Sequence, residues 1–261
     1  MLIAVTRPVS PTLAQCELTH LSREPIDVTR AAAQHADYEE LLRRLGVSVV
    51  QVPPAPELPD AVFIEDTAVV LDEIAVSTRP GAATRRRETA AVAAVVAHYR
   101  TVLSVTPPAT LDGGDVLQQG RTLYVGRSTR SNALGIEQLQ TLLAPFDYLV
   151  RPVDFTGCLH LKSAVTTIGD GGILLNPAWV SARCFPGCQV LEIDAAEPYA
   201  ANALRVADTL IYPAQFPRTA ERLVRHGLAL ATVDCSELAK AEGAVTCCSL
   251  LFRDHAEPST N

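Results

Sequence analysis

Apolar positions along the chain fall into two alternating spacings. Recurrence at every third and fourth residue predicts helices over Arg30–Leu45, closed by Gly46, over Thr84–Tyr99, over Asn132–Pro145, and over Arg218–His226, closed by Gly227. Between them lie short runs rich in Val, Ile and Leu. These predict strands at Leu2–Val5, Val47–Val52, Val62–Leu71, Ile74–Ser77, Thr122–Val125, His160–Ile168, Gly172–Leu175, Thr209–Tyr212 and Val245–Phe252. The class is α/β.

Several of these runs resemble one another. "VFIEDTAVVLDEIAVSTR", "TLDGGDVLQQGRTLYVGRSTR", "CLHLKSAVTTIGDGGILLN" and "AANALRVADTLIYP" each carry a polar residue early and continue into an apolar strand, and the first three turn back into a second strand. With Glu65, Asp112, His160, Asn202 and Cys247 as phase markers, successive units stand 47, 48, 42 and 45 residues apart. Such spacing predicts repeated supersecondary units, each burying its apolar face against its neighbours. Five units close a ring only if the N-terminal strand completes the last. The markers, far apart in sequence, then converge near the axis.

Composition narrows the setting. At 261 residues with no long polar linker, the chain reads as a single domain over 1–252, followed by a polar tail over 253–261 that is expected to be disordered. The start, MLIAVTRPVS, has too short an apolar run for a signal peptide, and no stretch is long enough to span a bilayer. Seven cysteines, odd in number and irregular in spacing, argue against a secreted disulfide framework and for a reducing cytoplasm. The net charge of −7 and the lone basic cluster Arg85–Arg87 exclude a nucleic-acid surface, so small molecules are the expected partners.

The chemistry lies in the markers. Alone, Cys247 reads as a small buried hydrophobe, His160 as a hydrogen-bonded core histidine, and Asp112 as a turn residue before Gly113-Gly114. At equivalent positions of different repeats, the three form the thiol, imidazole and carboxylate set that nucleophilic catalysis requires. Strand alternation sends Cys248 to the opposite face, toward packing, and a bond between vicinal cysteines strains the peptide between them. Gly113-Gly114 lacks the following Lys-Ser/Thr of a phosphate loop and reads as a tight turn. Cys184-x3-Cys188 has ligand-like spacing but no second pair, so a structural zinc site is not expected. His20, His98, His226 and His255 lie on polar or helical segments and read as surface or capping residues; His35, inside a helix, reads as structural.

"FIEDTAVV", "LDGGDVL", "LHLKS" and "TCCSLL", in that order and at those separations, resemble the dimethylarginine dimethylaminohydrolases of the guanidine-modifying pentein superfamily, over a span from "DVTRAAAQHADYEELL" to Phe252. The resemblance implies a five-bladed pseudo-symmetric α/β propeller with a central active site, and hydrolysis of Nω-methylated arginines to citrulline and methylamine or dimethylamine. It implies Cys247 as nucleophile, His160 as general acid and base, and Asp112 orienting the imidazole. It further implies Asp66 gripping the guanidinium, with Asp60 and Glu65 beside it, and Arg85 with Arg130 clamping the α-carboxylate, a task suited to a bidentate fork. Leu18 is implied on a loop folding over the ligand, with Phe63 and Ala241 lining a pocket that the small Ala241 leaves roomy. Deiminases of the superfamily carry an acid two residues after the histidine; here that place is Lys162, which favours an alkylated guanidine over free arginine. No cofactor or required metal is implied. Zinc on Cys247 and His160 would be inhibitory, and a monomer or homodimer is expected. Arginine or other guanidine deiminase chemistry, and a non-catalytic zinc-binding or ribosome-binding propeller, are the competing readings.

Overall fold

The computed structural model describes residues 1–254, so from residue 255 the expected tail lies outside the described residues. The strands are β1 (Leu2–Thr6), β2 (Ser48–Gln51), β3 (Ala68–Val70), β4 (Ile74–Ser77), β5 (Thr101–Ser104), β6 (Val116–Gln119), β7 (Thr122–Arg127), β8 (Leu149–Asp154), β9 (Val165–Gly169), β10 (Gly172–Leu175), β11 (Gln189–Glu192), β12 (Leu204–Val206), β13 (Thr209–Pro213), β14 (Ala229–Val233) and β15 (Leu250–Arg253). They form five three-stranded sheets, ordered β3-β4-β5, β6-β7-β8, β9-β10-β11, β12-β13-β14 and β15-β1-β2. Each has one plan. An inner strand pairs antiparallel with a middle strand, which pairs parallel with an outer one. The last sheet takes its inner strand from the C-terminal end of the described chain, with Val5 opposite Leu250, and its middle strand from the N-terminus. This is the predicted ring closure, and the fold is a five-bladed α/β propeller.

A parallel pair needs a crossover between its strands. Helices α1 (Val28–Arg44), α2 (Thr89–Val96), α3 (Ala133–Leu143) and α5 (Pro217–Arg225) supply four of these, while a single 3-10 turn at Ala182–Cys184 supplies the fifth. Two further helices, α4 (Leu161–Ala164) and α6 (Ser236–Ala239), are one turn each. Asp27 caps α1 by accepting from the Arg30 N–H, and Asn132 caps α3 by accepting from the Gly135 N–H. Gly46 and Gly227 follow their helices with φ of 80° and 81°, the left-handed geometry that ends a helix.

The middle strands β1, β4, β7, β10 and β13 are buried almost throughout, which explains why their continuous apolar runs were legible. Three predicted strands begin too early. Val62–Leu71 contains a 3-10 turn at Ile64–Thr67 before β3, His160–Ile168 contains α4 before β9, and Val245–Phe252 contains a turn over 245–248 before β15. In each case buried polar side chains draw the backbone out of strand geometry; the Thr67 hydroxyl, for instance, donates to the Ile64 carbonyl. The predicted helix Thr84–Tyr99 likewise opens as a 3-10 segment, Ala83–Glu88. Winding of three residues per turn aligns Arg85 with Glu88, and the two form a buried ion pair at 2.8 Å.

Candidate active site

The turn preceding each inner strand carries that unit's polar marker, and hydrogen bonds link these turns to one another. The Glu65 N–H donates to the Cys247 carbonyl at 3.2 Å, and the Gly114 N–H donates to Asp66 Oδ1 at 3.0 Å. Asn202 has no chemistry of its own, but its amide bridges the Lys162 carbonyl and the Thr246 hydroxyl.

A cavity of about 20 Å³, the room of one water, is lined by Glu17, Asp60, Phe63, Asp66, Arg85, Arg130, Leu159, His160, Ala241, Glu242 and Cys247. Of the candidate residues, therefore, Cys247, His160, Asp60, Phe63, Asp66, Arg85, Arg130 and Ala241 are brought together. Asp112 stands directly behind His160, fully buried, with Oδ2 at 3.0 Å from Nε2; its Oδ1 accepts from the Gly81 N–H. The other ring nitrogen, Nδ1, lies 3.7 Å from Asp66 Oδ1. Burial favours the neutral imidazole, but Asp66, Asp112 and nearby Asp115 outweigh it and lift the pKa to about 9. Asp66 is correspondingly held down to about 2: burial opposes its charge, and His160, Arg85 and the Gly114 N–H overcome that.

Gly113-Gly114 has a reason other than turn geometry. A Cβ on Gly113 would stand 2.0 Å from the Glu65 carbonyl oxygen, and one on Gly114 would stand 2.6 Å from both Asp66 and His160. The two glycines let neighbouring turns touch.

Cys247 and Cys248 lie on the turn before β15, not on a strand, so the turn and not strand alternation separates them. Cys247 is half-buried at the cavity. Cys248 is 1% exposed and packs in a core cluster with Tyr38 and Val245, its thiol donating toward the Ala244 carbonyl. All seven cysteines are free thiols. Burial pushes the Cys247 thiol well above its usual range, and the charges of Glu65 and Asp66 push it further.

Glu65 does not line this cavity. Its carboxylate accepts from Lys162 Nζ at 2.6 Å and from the Thr246 hydroxyl at 2.9 Å, at a separate cavity of about 240 Å³ bounded by residues of the inner strands β3, β6, β9, β12 and β15. Arg85 lines the cavity beside Cys247, but its guanidinium is bound to protein: it donates to Asp66 Oδ2 at 2.5 Å, to both oxygens of Glu88, and to the carbonyls of Asp60 and Phe63. Arg130, by contrast, gives one side-chain bond, to the Thr19 hydroxyl at 3.1 Å.

Leu18 packs with Phe63 and Ala241 in one apolar cluster, and the Phe63 ring lies so close to Gly243 that a Cβ there would meet it at 2.2 Å. Asp60 accepts from the Glu17 N–H, and burial raises its pKa despite the opposing charge of Arg85. The ligand atoms of Asp66, Asp112 and His160 converge within 4.8 Å, but the Arg85 cation already pairs with Asp66, one member of this set.

Asp115 was not legible as a site residue. It is fully buried, accepts from the N–H of Leu161, next to His160, and accepts from the Ser128 and Ser131 hydroxyls. Ser131 in turn receives the Asp112 N–H, and Ser128 receives the Arg130 N–H. One carboxylate thus fixes the backbone at His160, Asp112 and Arg130, and burial lifts its pKa to about 6. The available signal was its place as the second acid of "LDGGDVL".

No family model matches the chain. An N(G),N(G)-dimethylarginine dimethylaminohydrolase of Streptomyces coelicolor is 41% identical over 253 residues, covering 96% of this chain and 97% of the relative. One of Pseudomonas aeruginosa is 34% identical, covering 90% and 92%. A solved structure of the Pseudomonas aeruginosa enzyme, a cysteine-to-serine variant complexed with citrulline, superposes with a TM-score of 0.92 at 32% identity, covering 96% of this chain and 98% of that one.

Proposed function

The chain belongs to the dimethylarginine dimethylaminohydrolase family of C–N hydrolases acting on amidines, and from that premise we propose that it converts Nω-methylated arginines to citrulline and dimethylamine or methylamine through a covalent thiouronium on Cys247. The observation that carries this reading is the meeting of Cys247, His160 and Asp66 at one cavity, with Asp112 hydrogen-bonded behind the imidazole.

A guanidinium carbon is a weak electrophile because its charge is shared over three nitrogens. Asp66 holds that cation beside Cys247. The cation offsets the burial and negative charge that keep the thiol protonated, so the thiolate forms in the complex and its proton leaves to solvent. The sulfur bonds to the carbon. His160 gives the proton on its free ring nitrogen to the alkylated nitrogen as the C–N bond breaks, and Asp112 holds the ring throughout. The neutral imidazole then takes a proton from water as that oxygen attacks the thiouronium carbon. The C–S bond breaks, and citrulline and the restored thiol result.

Arg85 explains how a closed site admits the substrate. Its guanidinium occupies the carboxylate that the substrate's guanidinium needs. Incoming substrate displaces Nη1 from Asp66, and the N–H groups so released join Arg130 on the α-carboxylate while Glu88 keeps the rest of the guanidinium. Lys162, paired with Glu65, leaves the site without the second carboxylate suited to an unsubstituted guanidinium. Incubation with asymmetric dimethylarginine, monomethylarginine, arginine and agmatine in turn tests the reading. Citrulline with dimethylamine or methylamine is expected, whereas ammonia from arginine as the dominant product reassigns the chain as a deiminase.

A further inference from the structure

Residues 16–24 form a loop without secondary structure that borders the Cys247 cavity through Glu17 and is tied to distant parts of the chain by side-chain bonds. The Glu17 N–H meets Asp60, and the Glu17 carboxylate receives the Thr84 hydroxyl. The Thr19 hydroxyl receives Arg130. A further anchor is Glu242, 223 residues from Thr19. Its Oε2 accepts the Thr19 N–H at 2.9 Å, and its Oε1 accepts the N–H groups of His20 and Leu21, the latter at 2.7 Å.

Three consecutive backbone donors on one carboxylate make a strong, charge-assisted contact. Thr19 and His20 are otherwise exposed, so little apolar burial holds this part of the loop. Glu242 also sits in the left-handed region, with φ of 59°, a conformation that costs a residue of its kind energy and aims its side chain at the loop. It follows Ala241, and both line the catalytic cavity. Glu242 also lines a second cavity of about 390 Å³, whose walls include His20 and Leu21. Glu242 thus borders both a space with room for one water and a space with room for a small molecule.

We propose that Glu242 is a positioning residue that latches the 16–24 loop over the catalytic cavity through the N–H groups of Thr19, His20 and Leu21. Resting on the hydrolase reading above, the latch has a definite effect. It must open for a methylated arginine to enter and close again to hold Leu18 and Glu17 against the bound ligand, so its loss weakens substrate retention more than bond-breaking.

Amide hydrogen exchange and steady-state kinetics on the full chain test this together. Glu242→Ala and Glu242→Asn both remove the reach of the carboxylate, and asparagine also tolerates left-handed backbone. In both variants exchange at Thr19, His20 and Leu21 is expected to accelerate by roughly tenfold or more, in keeping with the loss of charge-assisted bonds. KM for dimethylarginine is expected to rise by a similar factor while kcat changes less than threefold. Glu242→Gln keeps one acceptor oxygen and is expected to fall between these and the unaltered chain. Unchanged exchange in both variants, or faster exchange with an unchanged KM, overturns the latch. The exchange readout needs no substrate, so it decides the latch even if the substrate assignment fails.

Discussion

Arg85 holds Nη1 at 2.5 Å from Asp66 Oδ2, so the carboxylate that shares a cavity with the Cys247 thiol already carries a guanidinium that belongs to the protein itself. The same side chain neutralises Glu88, and all three groups are buried. Arg85 is therefore an element of stability and, under the proposed function, also an element of binding, whereas Arg130 under that proposal is mainly the latter.

Truncating the two arginines separates these roles. Arg85→Ala leaves Asp66 and Glu88 buried without their cation and is expected to cost about 3–5 kcal/mol in urea denaturation. Arg130→Ala removes one hydrogen bond to Thr19 and is expected to cost about 1 kcal/mol. Both should raise KM. Equal stability losses would argue against the double role of Arg85.

The ion pairing of His160 makes folding stability depend on pH. Its folded pKa of about 9 lies above the ordinary 6.5, so this stabilisation is complete below pH 6.5 and disappears as pH rises through 9. The shift corresponds to about 3 kcal/mol as an upper bound, since the same contact lowers Asp66. Asp66 acts at the other end: its folded pKa of about 2 is below its ordinary value, so its stabilisation is present above pH 3.8 and is lost as pH falls through 2. Denaturation midpoints should fall between pH 6.5 and 8 for the unaltered chain and change much less over that window in His160→Gln, below the range in which the buried cysteines contribute. A parallel fall in both would assign the effect to other groups.

Asp115 acts through geometry, and a pair of substitutions shows it. Asparagine keeps an acceptor for the Leu161 N–H, and the two serine hydroxyls can reorient toward its amide. Asp115→Asn is thus expected to retain most of kcat. Asp115→Ala releases the backbone at His160 and Asp112, and a displacement of that kind lowers kcat by about 100-fold. Equal losses in the two variants would mean that the charge itself is required.

How much of this was legible depends on where each segment sits in a blade. The middle strands, buried on both faces, announce themselves as continuous apolar runs, and Ile74–Ser77 and Gly172–Leu175 match the structure residue for residue. The outer strands β5, β8, β11 and β14 are half exposed and short of apolar contrast, and no prediction included them. The markers were legible because a repeat returns each polar residue to one phase. Their side-chain directions were not: Glu65 and Asp66 are adjacent, yet one pairs with Lys162 and the other faces the catalytic cavity. The role of Glu242 depends on contacts across 223 residues, which no local pattern encodes.

Free Cys247 is expected to be protonated near neutral pH, because burial, Glu65 and Asp66 all disfavour the thiolate. Ultraviolet titration of the free protein against Cys247→Ser should show no thiolate band there, and Cys248→Ser should behave like the unaltered chain. A band near pH 7 that vanishes in Cys247→Ser would mean that a resting thiolate and imidazolium pair is present before substrate arrives.

The most direct test of the account is to trap the covalent intermediate. The chain would be mixed with asymmetric dimethylarginine, quenched in acid within the first turnovers, digested and mapped by mass spectrometry. A citrulline-derived thiouronium on the peptide carrying Cys247, localised to that residue by fragmentation and formed with one equivalent of dimethylamine, is the expected result. Dimethylamine released with no adduct on any cysteine, or an adduct confined to Cys248, would contradict it.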